Sequence, residues 1–88
     1  PSSPFVALNR AIALGMAERP EAGLAALARL AASGALEGYH LLPAARADLS
    51  RRAGRVADAA EFYRAALELA PTGPERRYLQ RRLGELGG

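Results

Sequence analysis

Residues 39–71 read YHLLPAARADLSRRAGRVADAAEFYRAALELAP, and this stretch decides the fold of the chain. Its second half predicts an amphipathic helix, because apolar residues recur at intervals of three and four. These residues are Val56, Ala59, Ala60, Tyr63, Ala66, Leu67 and Ala70. Gly54 marks the reversal before this helix, where the backbone needs a residue that tolerates positive φ. Pro71 ends the helix, so the stretch predicts two helices joined by a tight turn.

The order of residues in the second helix is that of a known repeat. Gly54, Ala59, Tyr63, Ala66 and Pro71 resemble the second half of a tetratricopeptide repeat. In such a repeat, small residues allow two helices to approach closely and an aromatic side chain fills the gap between successive turns. An ordinary helical hairpin is the alternative interpretation of the same spacing.

The remainder of the chain predicts three more helices. Ser3 and Pro4 form a helix start, with a hydroxyl cap and a proline at the first helical position. Pro20 opens a second helix, and Pro74 opens the last one. The side chains that we expect to point inward are Phe5, Leu8, Ile12 and Met16 in the first helix, Leu24, Leu27, Ala28 and Ala31 in the second, Leu42, Ala45 and Leu49 in the third, and Tyr78, Leu79 and Leu83 in the fifth.

The sequence contains an internal repeat, which appears when the chain is aligned with itself at an offset of about 36 residues. The shift places Arg10-Ala11 on Arg46-Ala47 and Leu27 on Tyr63. We therefore predict an all-α, tetratricopeptide-like domain of two hairpins, over about 4–32 and 39–70, with a capping helix over about 74–86. The first helix of each hairpin departs from the repeat pattern, because Arg10 and Arg46 stand where a large apolar residue is usual.

Composition limits the possible functions. The 88 residues suit one domain, and the absence of Cys excludes disulfides and thiolate metal sites. All 12 basic residues are Arg, and the formal net charge of +3 is a weak signal for nucleic-acid binding. No apolar run reaches the length of a membrane span, and no signal peptide is visible. Because the chain begins without Met, we expect a piece of a longer protein. We also expect it to be cytoplasmic and monomeric.

Three segments carry a more specific resemblance: FVALNRAIALGMAERPEAGLAAL (5–27), GYHLLPAARADLSRRAGR (38–55) and GPERRYLQRRLGEL (73–86). They resemble the C-terminal tetratricopeptide-like extension of extracytoplasmic-function (ECF) RNA polymerase sigma factors in bacteria. The most specific parts are LNRA at 8–11 and YHLLPAARADL at 39–49, and Ser50 departs from the apolar residue expected there. The resemblance implies a regulatory domain without catalytic residues or cofactor. Its implied partners are the sigma domains of the same chain, RNA polymerase or another regulatory protein.

The candidate protein-binding residues lie on the inner helices and at the start of the third. They are Asn9, Arg10, Tyr39, His40, Arg46, Asp48, Arg51 and Arg52. Each has a plainer explanation. Asn9 is expected to form a hydrogen bond across to a neighbour. A single histidine such as His40 can bind a partner or sense pH, but it is more often a structural hydrogen-bonding group. Asp48 has the spacing of helical ion pairs with Arg51 and Arg52.

Four arginines of the last helix, Arg76, Arg77, Arg81 and Arg82, offer a second basic region. No aromatic residues are interleaved with them for base stacking, so we interpret them as a solvated surface and expect no sequence-specific DNA binding. No catalytic triad, phosphate loop or carboxylate pair stands out, and we expect no enzyme. A free-standing tetratricopeptide-type scaffold that binds a peptide in its groove is the alternative to the sigma-factor hypothesis. A sigma helix–turn–helix directly upstream would decide between them.

Overall fold

The structure, a computed structural model, describes residues 3–87. This part of the chain forms five helices and no strand, which confirms the predicted all-α class. The helices are α1 (Pro4–Ala17), α2 (Pro20–Ser33), α3 (Leu41–Arg52), α4 (Val56–Leu69) and α5 (Gly73–Glu85). The largest difference from the predicted boundaries is the start of α3, which was expected near Tyr39 and lies at Leu41.

Local chemistry sets the ends of these helices. The Ser3 hydroxyl oxygen accepts a hydrogen bond from the Val6 N–H at 3.2 Å, which caps α1 as predicted. Gly34 ends α2 with a φ of 75°, and Gly54 forms the turn between α3 and α4 with a φ of 78°. Both angles lie in the left-handed region, where glycine avoids the steric cost of a Cβ.

Helix α3 is the central element. It packs against α2 on one side and against α4 on the other, and it also contacts α1. The core accordingly has two clusters. The first consists of Leu8, Ala11, Leu27, Leu36, Leu42, Ala45 and Leu49, and the second of Ala44, Ala47, Ala59, Tyr63, Ala66, Ala70 and Leu79. Because α3 contributes to both, its inward residues include the predicted Leu42, Ala45 and Leu49.

The first cluster depends on a close approach of α1 and α2. A Cβ built on Gly23 would lie 2.7 Å from the carbonyl oxygen of Ala11 and 2.8 Å from the Cα of Gly15. The side chain of Leu49 covers this crossing, and a Cβ on either glycine would lie 2.6 Å from its Cδ1. Only glycine at both positions leaves room for the third helix to place Leu49 there.

Several predicted inward residues are not buried. Phe5 and Met16 are 54% and 53% exposed, Val56 is 49% exposed, and Ala28 is also exposed. The buried residues of α1 are the predicted Leu8 together with Ala11 and Gly15, and the predicted Ile12 packs half-buried against the same cluster. The prediction was wrong for Phe5 and Met16, because small residues, and not the largest apolar ones, mark the contact side of a closely packed helix.

The Gly15–Gly23 crossing generates a prediction about stability. We expect Gly23→Ala to lower the free energy of unfolding by roughly 1 kcal/mol or more, because the backbone contacts of the new methyl group outweigh the gain in helix propensity. Gly84→Ala is the matched control, since a Cβ at this helical glycine meets nothing within 4 Å. It should stabilise the chain by about 0.5–1 kcal/mol. Urea unfolding followed by circular dichroism measures both, and equal stabilisation by the two variants would contradict the close crossing.

Candidate functional site

A groove of about 410 Å³ lies between α1, α3 and α5. Its volume is within the range of small-ligand and side-chain pockets in proteins. Most of its walls are apolar, with a few polar groups among them. The lining residues are Leu8, Asn9, Ile12, His40, Leu41, Ala44, Ala45, Asp48, Pro74, Glu75, Tyr78 and Leu79.

Each helix gives the groove one stripe of side chains. On α3 the stripe consists of Leu41, Ala44, Ala45 and Asp48, and on α1 it includes Leu8 and Ile12. Positions three or four residues apart share one face of a helix, so these stripes follow directly from helical geometry. The groove is therefore a property of how three helices are set beside each other.

Asp48 connects the walls of the groove. Its Oδ1 accepts a hydrogen bond from the Tyr63 hydroxyl at 2.6 Å and another from the Tyr78 hydroxyl at 2.9 Å. Arg51 donates from Nε to the Tyr63 hydroxyl oxygen at 3.0 Å, and one of its terminal nitrogens lies 3.8 Å from Asp48 Oδ1. One carboxylate thus joins α3, α4 and α5.

The network continues along α5. Arg82 donates from Nε to the Tyr78 hydroxyl oxygen at 3.5 Å and forms an ion pair with Glu85 at 3.0 Å. Its hydrogen bond to Tyr78 raises the pKa of Arg82. Arg76 donates to the Leu67 carbonyl at 2.6 Å, near the C-terminal end of α4. Arg76 is exposed and Arg82 is half-buried, and in addition to the solvation expected from the sequence both side chains form contacts, Arg76 with α4 and Arg82 within α5.

Two ionisation equilibria at the site are shifted. Burial, reinforced by the hydrogen bond to Asp48, raises the pKa of Tyr63 to about 12. The hydrogen bond from the Thr72 hydroxyl lowers the pKa of Glu75, so its carboxylate stays charged where it lines the groove. Thr72 and Glu75 have the spacing of a capping box at the start of α5.

The structure brings three of the predicted site residues together. Asn9, His40 and Asp48 all line the groove. Asn9 is exposed there on α1, which differs from the expected hydrogen bond across a helix interior. Arg51 reaches the groove through Tyr63 and Asp48, and it forms the ion pair expected from its spacing to Asp48.

The other predicted residues lie outside the groove lining. Tyr39 packs edge-on against Phe5, with ring centroids 5.4 Å apart, and its ring is 5.5 Å from that of His40. Arg10 and Arg52 are exposed on α1 and α3. Arg52 lies four positions after Asp48, at the C-terminal end of α3, and its exposed side chain is not part of the groove lining.

Arg46 belongs to a different surface. Its guanidinium lies 4.5 Å from the centroid of the Phe62 ring, in a pocket of about 350 Å³ that α2, α3 and α4 form with residues such as Glu21 and Asp58. Within the described chain, its buried Nε has no hydrogen-bond partner. Arg46 therefore packs as a cation on an aromatic ring and does not line the groove.

Sequence analysis missed several groove residues. Leu41, Glu75 and Tyr78 all line it, and none was selected from the sequence. On α3, the spacing of four and then three residues between Leu41, Ala45 and Asp48 could have indicated that these side chains share one face of the helix. Nothing in the sequence indicated that α5 would close the groove, because that depends on the Tyr78–Asp48 hydrogen bond across 30 positions.

Residues 3–87 contain neither a metal-binding cluster nor a membrane-spanning helix. No group of three or more His, Asp or Glu side chains there is placed to hold a metal ion. In the same residues, every helix is too short or too polar to cross a membrane.

The Asp48 network should be measurable as a coupling between residues. We expect Asp48→Ala to lower the free energy of unfolding by roughly 1–3 kcal/mol, because it leaves the buried Tyr63 hydroxyl without its acceptor. Tyr78→Phe removes the hydrogen bond to Asp48 together with the longer one from Arg82, and it should cost about 1 kcal/mol. In the double variant the two effects should be less than additive, and strict additivity in urea unfolding would show that the Tyr78–Asp48 bond contributes nothing.

The raised pKa of Tyr63 predicts a loss of stability at high pH. The unfolded chain ionises this hydroxyl near its ordinary pKa of 10.0, and the folded chain only at about 12. Stabilisation by the neutral hydroxyl is therefore complete below pH 10 and is lost as pH rises from 10 to 12. Thermal unfolding between pH 9 and 12 should show a steeper fall for the native chain than for Tyr63→Phe. Identical slopes would contradict the shift.

Comparison with known proteins gives one relative and no family. No family model matches the chain, and no solved structure matches it. An uncharacterized protein of Rhizobium meliloti (strain 1021) is 36% identical to it over 84 residues, which cover 96% of this chain. The chain spans only 19% of the length of that relative.

Proposed function

We propose that this chain is a tetratricopeptide-like protein-interaction domain that docks a segment of a protein in the groove between α1, α3 and α5. The observation that carries the proposal is the origin of the groove walls. Its residues come from the first helix of each hairpin and from α5, the elements that form the concave face of a tetratricopeptide array. Concave faces of helical repeats are their usual binding surfaces.

Burial supports the repeat on which this proposal rests. Residues 36 positions apart in the two hairpins are buried in pairs: Leu8 and Ala44, Ala11 and Ala47, Gly23 and Ala59, and Leu27 and Tyr63. Equivalent burial at a constant offset is what two copies of one packing unit would give. The order of packing, with each helix against the next and α1 against α3, agrees with the same arrangement.

We further propose that the domain is the regulatory C-terminal extension of a bacterial ECF sigma factor. The three segments that resemble such extensions support this, and together they are spread over residues 5–86. The domain would act as a cytoplasmic monomer, through contacts with its own sigma domains, RNA polymerase or another regulatory protein. It would not recognise promoter sequence, because its surface carries mixed charge and two of the four arginines of α5, Arg76 and Arg82, form internal contacts. It would also not catalyse a reaction, since the resemblance implies no catalytic residues.

A free-standing scaffold that captures a peptide in the same groove remains the second candidate. The match to 19% of a longer Rhizobium protein favours a domain within a larger protein over a free-standing one.

The test uses two leucines of equal exposure in the full-length protein. Leu41 lines the groove and Leu69 lies on α4, and each is 42% exposed. In transcription with purified core RNA polymerase, we expect Leu41→Asp to change promoter-dependent transcript yield at least about tenfold, as loss of roughly 1.4 kcal/mol of contact energy would. Leu69→Asp should leave the yield unchanged.

The outcomes separate the two parts of the proposal. Failure of the full-length protein to bind core polymerase would overturn the sigma-factor assignment. A functional sigma factor that tolerates Leu41→Asp as well as Leu69→Asp would overturn the role of the groove. Melting temperatures of all variants show whether either aspartate disturbs the fold.

A further inference from the structure

The groove differs in charge from the chain that forms it. The chain has 12 arginines, 9 acidic residues and a formal net charge of +3. None of these arginines is among the residues that line the groove in the described structure, whereas Asp48 and Glu75 both are. His40, the remaining ionisable group besides Tyr78, is neutral in this formal charge. A basic chain thus surrounds a groove whose formal charges are negative.

Asp48 retains unused capacity to accept hydrogen bonds. Both tyrosine hydroxyls and Arg51 approach the same oxygen, Oδ1. Within residues 3–87, Oδ2 accepts no hydrogen bond, and the side chain is 34% exposed. A carboxylate oxygen can accept from an ammonium or guanidinium group without disturbing bonds to its partner oxygen.

Glu75 provides the second negative group from the facing helix. It lies in the first turn of α5, where the Thr72 hydroxyl donates a hydrogen bond to its carboxylate and the helix dipole favours a negative charge. The same groove wall also carries apolar residues, Leu41, Ala44 and Leu79 among them.

We propose that the groove selects a cationic amphipathic segment of a partner protein, in which an apolar side chain stands beside an Arg or Lys. The apolar side chain would contact Leu41, Ala44 and Leu79, and the cation would contact the carboxylates of Asp48 and Glu75. This inference rests on the proposed docking function and adds the chemistry of the docked segment. The choice of a cation follows from charge complementarity within the groove.

The net charge of the chain makes the opposite prediction, so the two can be told apart. At long range a chain of charge +3 attracts acidic segments, and that attraction is screened beyond about 8–10 Å in physiological salt. Contacts inside the groove are shorter than this distance. At physiological salt the local carboxylates should therefore decide which segment binds.

The experiment selects peptides from a random 16-residue library displayed on phage, with the 88-residue chain immobilised in 0.15 M NaCl. Peptides that also bind the Leu41→Asp variant are removed. We expect the remainder to be enriched in Arg or Lys three or four positions from Leu, Ile or Phe. A representative peptide, measured by fluorescence anisotropy, should bind Glu75→Gln about two- to fivefold more weakly than the native chain.

Two controls keep the interpretation firm. Gln is as suitable as Glu in a capping box, so Glu75→Gln should preserve α5, and its melting temperature checks this. Glu61→Gln removes an equal charge from an exposed position on α4 outside the groove, and it should leave peptide affinity unchanged.

Each outcome decides a separate statement. Cationic peptides that lose affinity with Glu75→Gln but not with Glu61→Gln support the proposal. Groove-dependent peptides that are neutral or acidic would overturn the cation selection and leave the docking function standing. Failure to enrich any peptide sensitive to Leu41→Asp would overturn both. If Glu75→Gln and Glu61→Gln lower the peptide affinity equally, the effect comes from the overall charge of the chain and not from the groove. That result would also overturn the proposal.

Discussion

The structure depends on one contact among three helices. The side chain of Leu49, on α3, packs over the point where α1 and α2 cross at Gly15 and Gly23. Two glycines bring the backbones of α1 and α2 so close that no methyl group fits between them. Leu49 then fills the remaining space from α3 and is almost fully buried. This contact sets α3 beside α1, and so it fixes the first wall of the groove.

The second wall depends on a polar interaction instead. Asp48 joins α3 to α4 through Tyr63 and to α5 through Tyr78. The residue that supplies charge to the groove therefore also holds the groove together. Substitutions at Asp48 alter structure and recognition at once, whereas Leu41 is exposed and the side chain of Glu75 bonds to Thr72, at the start of its own helix. For this reason the functional tests use the latter two.

Much of the fold could be predicted from sequence because its signals are local. Proline and glycine positions gave the helix ends, and the spacing around Tyr63 gave a fully buried aromatic. The burial of Leu36 in the loop before α3 and the exposure of Phe5 could not be predicted, since both depend on which neighbour a residue meets. The residues of the groove were harder to predict for the same reason. Asp48 and Arg46 are two positions apart, yet helical rotation sends one to the groove and the other onto Phe62.

The position of α3 between two apolar clusters has a consequence for how the chain opens. In arrays of repeats, terminal units can unfold separately when each has its own core. Here the two clusters use opposite sides of the same twelve-residue helix, so unfolding of the first hairpin or of α4 exposes one whole side of α3. Hydrogen exchange from the amides of α3 therefore requires nearly global unfolding, while α5 can detach in a smaller step. A segment bound across α1, α3 and α5 would hold α5 to the other helices. In the bound state α5 would then detach only when the whole chain unfolds, whereas in the free chain it could detach first.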